Sequence, residues 1–137
     1  MVDEATLELT RHWLLRAQRD LATARKLAAG DDPYLDTAIY HCQQAAEKAI
    51  KGLLVFHEQR FEKVHNVQLL LAQALPFAPG LAAWLEAAES LTPYATAFRY
   101  PSEILEPDRA EFDAALAAAE EISTAVLSLV PRSAHPR

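Results

Sequence analysis

Two residues near the middle of the chain, Arg60 and His65, combine types that can move a proton and hold a phosphate. Histidine titrates near neutrality, so it can take the proton of a ribose 2′-hydroxyl. Arginine stays cationic and forks onto phosphate oxygens, so it can stabilise the charge of a pentacovalent phosphorus. Together they would support metal-independent RNA cleavage. Five residues along one helix is about 500°, which leaves two side chains about 140° apart. Arg60 and His65 therefore converge only across a break in the helix or by pairing with the same residues of a second copy. The plainer alternative makes Arg60 a surface residue and His65 a helix-start residue bonded to backbone.

A second set lies just upstream. On a helix over residues 37–58, Cys42, Ala46, Ala49, Ile50 and Leu53 share one side. His41, Gln44, Lys48 and Lys51 recur at steps of three and four on the other. An imidazole, an amide and two ammonium groups in line suit an anionic phosphate. The alternative is a solvated face with Glu47 and Lys51 as an i,i+4 pair. Downstream, Arg99-Tyr100-Pro101 lies in a proline-bounded connection, where Tyr100 is driven to extended backbone. The pair either docks its loop on the bundle or stacks on a base and meets phosphate. His12, His57 and His135 lack partners at metal-ligand spacing. With three glycines and one cysteine there is no phosphate loop, disulfide or zinc ribbon, and no cofactor or metal is expected.

The elements that must position these residues are helical. The chain holds 27 alanines and 20 leucines against 17 residues of Val, Ile and Thr combined, which disfavours sheet. The patterning predicts a first helix over 4–28, with Leu7, Leu14, Ala17, Leu21, Ala24 and Ala28 as its stripe and Gly30 as its stop. A second helix follows Asp31-Asp32-Pro33 as cap and first turn and runs to about Glu58. A third starts after Asn66 and stops before Pro76, and a fourth short one covers 81–91. Thr92-Pro93 opens a brief helical turn, and a long last helix runs from near Pro107 to Val130. The expected fold is all-α, an up-down bundle of about five helices, three long and two short. Residues 1–130 form one domain and 131–137 a disordered tail.

The net charge of −6 argues against bulk coating of nucleic acid. The imbalance is uneven: residues 1–66 carry nine basic and ten acidic groups, residues 67–130 two and nine. An anion site is thus expected in the first half. The uncharged stretch between Lys63 and Glu86 is split by Pro76, Pro79 and Gly80, so no membrane contact is expected. One cysteine and an N-terminus without an apolar core suggest the cytoplasm. Trp13, Trp84, Phe98 and Phe112 exceed what a small bundle needs, which suggests an apolar patch covered by a second copy.

Taken together, the run Tyr40-His41-Cys42-Gln43-Gln44-Ala45-Ala46-Glu47-Lys48-Ala49-Ile50-Lys51-Gly52-Leu53-Leu54 resembles the central signature of HEPN domains. So do Lys63-Val64-His65-Asn66 before a leucine run, Arg99-Tyr100-Pro101, and the opening Trp13-Leu14-x-x-Ala17-x-x-Asp20-Leu21-x-x-Ala24. The resemblance spans about residues 5–130. It implies an HEPN-like bundle that forms a homodimer and binds nucleotide or RNA, for which the residues read above from spacing, His41, Gln44, Lys48, Lys51, Arg99 and Tyr100, are the candidate contacts. It also implies a minimal nucleotidyltransferase as partner in a toxin–antitoxin pair. An alternative is a metal-independent ribonuclease toxin, with Arg60 and His65 in a composite dimer site. A third is a non-catalytic helical interaction partner. The chain departs from the ribonuclease toxins in having Phe61 after the arginine and Val67 two residues after the histidine.

Overall fold

The computed structural model describes residues 2–61, 63–101 and 106–137. Among these residues five α-helices follow in order: α1 Glu4–Ala28, α2 Leu35–Phe56, α3 Val67–Ala74, α4 Leu85–Leu91 and α5 Arg109–Ser128. Among the described residues there is no strand, and no helix is long and apolar enough to cross a membrane. The fold is the all-α bundle of three long and two short helices.

Local signals set most of the helix ends. Asp3 and Asp108 accept from the amides of Thr6 and Glu111, and Asn66 from that of Leu69, so α1, α5 and α3 each begin at a side-chain cap. α2 differs from expectation. It begins at Leu35 behind Tyr34, with no side-chain cap, and Asp31, Asp32 and Pro33 lie outside it. It stops at Phe56, where Glu58 adopts a positive φ of 56° and turns the chain away. The fourth predicted helix is two pieces, a 3-10 turn Pro79–Trp84 followed by α4. The turn at Thr92–Ala95 is also 3-10.

α2 is the centre of the bundle. Ala38, Ile39, Cys42, Ala45, Ala46, Ala49, Ile50, Leu53 and Leu54 are all fully buried, meeting α1, α3 and α5 on different sides. α1 lies closest. A β-carbon at Gly52 would stand 2.9 Å from Leu14 Cδ2 and 3.1 Å from Trp13 Cβ, so the missing side chain lets the helices touch.

Two expectations are corrected. Residues 131–137 are not a disordered tail: a 3-10 turn at Arg132–Ala134 buries Ala134 completely. The Arg11 guanidinium donates to the Ser133 carbonyl at 2.6 Å and His135 Nε2 to that of Leu127 at 2.8 Å, tying the segment to α1 and α5. Nor do the four large aromatics form an exposed patch. Phe112 is 1% exposed, and Trp13, Trp84 and Phe98 pack against the core.

Candidate functional site

The polar side of α2 is not a solvated face. α1, Phe61 and His65 cover it, and its groups are joined in two hydrogen-bonded clusters. The first is built on Asp20, a buried carboxylate of α1. His41 Nδ1–H donates to Asp20 Oδ1 at 2.8 Å, and Lys48 Nζ donates to Oδ2 at 2.7 Å. Burial alone would raise the Asp20 pKa, but the bonds and charges of His41 and Lys48 outweigh it and hold the group below its usual value. His41 and Lys48 each remain one-quarter exposed. The Tyr40 ring meets His41 edge-on at 5.4 Å, and the Arg99 guanidinium lies 4.0 Å above that same ring. Arg99 therefore docks its connection onto α2, whereas Tyr100 beside it is 73% exposed. The cluster holds His41 and Lys48 on one carboxylate, with Arg99 stacked on the neighbouring Tyr40 ring, and it retains access to water.

The second cluster is built on Glu47, 3% exposed. Its Oε2 accepts from Lys51 Nζ at 3.0 Å. Its Oε1 accepts from Gln43 Nε2 at 3.0 Å and from His65 Nδ1–H at 3.0 Å. Gln43 also donates to the His65 carbonyl at 2.8 Å, and Gln44 donates to Gln43 Oε1 at 2.7 Å. Lys51 is 6% exposed, with the Trp13 and Phe61 rings 5.7 Å and 5.4 Å from its ammonium. The predicted Glu47–Lys51 pair exists, but inside the protein. Gln44 and Lys51 are buried, whereas His41 and Lys48, also bonded to a buried carboxylate, keep about a quarter of their side chains exposed.

His65 combines both environments. Its Nδ1 is fixed by the buried carboxylate while its side chain is 67% exposed. With Nδ1–H donating, Nε2 carries the free lone pair, the arrangement a general base needs. It is not the helix-start residue, since Asn66 caps α3.

Arg60 and His65 sit on the same non-helical connection, between the end of α2 and the start of α3, so one chain supplies the helix break that their spacing requires. Arg60 is exposed, its carbonyl accepts from Gln73 at 2.6 Å, and it lines a groove of about 440 Å³ with Phe61, Val64, Leu69, Leu70 and Gln73. Among the described residues no hydrogen bond or ion pair joins it to His65, and no group of three or more metal-ligating side chains forms.

Asp20, Gln43 and the buried role of Glu47 were not read as site residues from the sequence. Asp20 carried a signal: it breaks the apolar stripe of α1 between Ala17 and Leu21, where a carboxylate is costly unless paired.

A five-helix bundle whose central helix holds two buried carboxylate–cation clusters defines the class. A model of the HEPN domain matches residues 10–129, and the chain belongs to that family. The structure is similar to that of TT1696 from Thermus thermophilus, with 29% identity, a TM-score of 0.76, and 88% of this chain and 98% of that one covered. It is also similar to ST0689, described as an archaeal HEPN homologue, with 30% identity, a TM-score of 0.67, and 87% and 95% covered. A comparison with curated proteins found no match.

Proposed function

We propose that this HEPN protein binds nucleotide or RNA as a homodimer, through the α2 face that carries His41 and Lys48, with Arg99 and Tyr100 contributed by the connection that Arg99 docks on Tyr40. The observation that carries the reading is the Asp20 cluster: its carboxylate fixes an imidazole and an ammonium side by side, one-quarter exposed, next to a stacked guanidinium. Lys48 and Arg99 take the phosphate oxygens, and the exposed Tyr100 ring offers a face for a base. Gln44 and Lys51 hold the helix face in shape from beneath. A minimal nucleotidyltransferase is the protein partner this reading favours. Fluorescence anisotropy with a labelled oligoribonucleotide tests it: Lys48→Gln and Arg99→Ala each weaken binding about tenfold, the loss of one charge-assisted contact of about 1.5 kcal/mol. Equal affinity for the wild-type protein and both variants would overturn it.

The Glu47–His65 hydrogen bond favours a second reading, metal-independent ribonuclease activity. Glu47 orients His65, Nε2 takes the 2′-hydroxyl proton, and Arg60 of one or the other copy stabilises the phosphorane. Cleavage of a mixed RNA in EDTA would then be lost in His65→Ala and retained in His57→Ala. Undiminished cleavage by His65→Ala would remove this reading and leave the binding one standing.

A further inference from the structure

The outer surface of α1 carries a row of cations that neither cluster uses. His12, Arg16, Arg19 and Lys26 follow at steps of four, three and seven, which aligns them on one face over about 21 Å. All four are exposed. His12 stands 4.0 Å from Glu8, while Arg16, Arg19 and Lys26 make no ion pair among the described residues. In a chain of net charge −6, with carboxylates in surplus, three cations along one face without an ion pair among the described residues are a feature to explain. The residues between them form shallow grooves, one of about 400 Å³ lined by His12, Leu15, Arg16 and Arg19, and one of about 210 Å³ lined by Leu9, His12, Trp13 and Arg16.

The row lies beside the site. Arg16 is one turn before Asp20 and three residues after Trp13. Asp20 faces His41 and Lys48, and Trp13 faces Phe61 and Lys51. The row is thus the next strip of α1 surface outward from both clusters. We infer that it is a track for the backbone of single-stranded RNA, holding the strand whose nearer end occupies the α2 face. Spaced cations along one line bind phosphates without reading sequence, and a track of this length suits several nucleotides. The inference rests on the RNA-binding reading above. An acidic surface of a second copy, such as the exposed Asp113 and Glu121 of α5, is the competing occupant.

The triple variant Arg16→Gln, Arg19→Gln, Lys26→Gln tests it, with circular dichroism and light scattering to check fold and mass. Binding of a labelled 20-nucleotide single strand and of a dinucleotide is measured across a salt series. The triple variant should lose tenfold or more of its affinity for the long strand at low salt, and its log–log salt slope should fall by about 2, from about 0.7 per phosphate contact removed. Its dinucleotide affinity should equal wild type. An unchanged long-strand slope, with wild-type binding intact, overturns the track alone. Failure of the wild-type protein to bind either ligand overturns the track and the reading beneath it. Loss of a dimer in the triple variant assigns the row to a copy–copy contact and overturns the track too.

Discussion

A carboxylate inside a helical bundle is tolerated only through its partners, and the two here differ in how they would fail. Glu47 holds Lys51 where the side chain is 8% exposed, so removing either leaves a charge with little access to water. Asp20 holds His41 and Lys48, which are one-quarter exposed and can be rehydrated. We expect Asp20→Asn to cost about 1–3 kcal/mol at pH 7. The cost should also depend on pH in one direction. The folded-state pKa of Asp20 lies below the usual 3.8, so its stabilisation is present above that value and is lost as pH falls through the folded-state pKa. Denaturant melts at neutral pH and near pH 3 should show the gap between wild type and Asp20→Asn narrowing in acid. A gap that widens there would contradict the Asp20 ion pairs. At this scale the sequence was legible in part. The helical wheel correctly set His41, Gln44, Lys48 and Lys51 apart from Cys42, Ala46 and Ala49. It could not say what covered them, because the partner carboxylate comes from α1, twenty-one residues before His41.

Among the elements, α1 and α2 form the rigid pair on which both clusters depend. Their contact closes at Gly52, where alanine tests two opposed effects. Alanine favours a helix interior over glycine by about 1 kcal/mol. Its β-carbon, however, would meet Leu14 Cδ2 at 2.9 Å and Trp13 Cβ at 3.1 Å. Leu14 is 3% exposed, and the Trp13 β-carbon moves only with its backbone. Overpacking of this kind costs about 1–3 kcal/mol, so Gly52→Ala should be destabilised on balance. Gly80→Ala, with no atom within 4 Å of the new carbon, should be neutral or better in the same thermal melts. Destabilisation of both alike would remove the packing argument. Helix extents were legible where one residue's own chemistry marks them: Asn66 begins α3, and a positive-φ Gly30 follows α1. They were misread where tertiary packing sets them. Tyr34, not the aspartates before it, begins α2, and its amide bonds the Leu27 carbonyl across the turn.

For the whole molecule, the last segment and the single cysteine report on one cooperative unit. The tail reads as disordered from sequence, and Pro131-Arg132-Ser133 carries no apolar periodicity. Its anchoring depends on one buried alanine and on backbone carbonyls, neither of which a pattern search detects. Cys42 is fully buried on α2, in the field of Glu120, and burial pushes its thiol up to about 12. A thiol so placed has almost no thiolate at neutral pH and no path to a reagent. It becomes reactive only when α2 leaves its neighbours, which requires opening the centre of the bundle. Labelling of Cys42 by a disulfide reagent under native conditions should therefore proceed at the global opening rate and accelerate with denaturant along the unfolding transition. Truncation before Pro131 should raise that rate several-fold by removing the Ala134 and His135 contacts that tie α5 to the tail, a loss of about 1–2 kcal/mol. Fast labelling of the native full-length chain would mean that α2 opens locally, and that the two carboxylate clusters open with it.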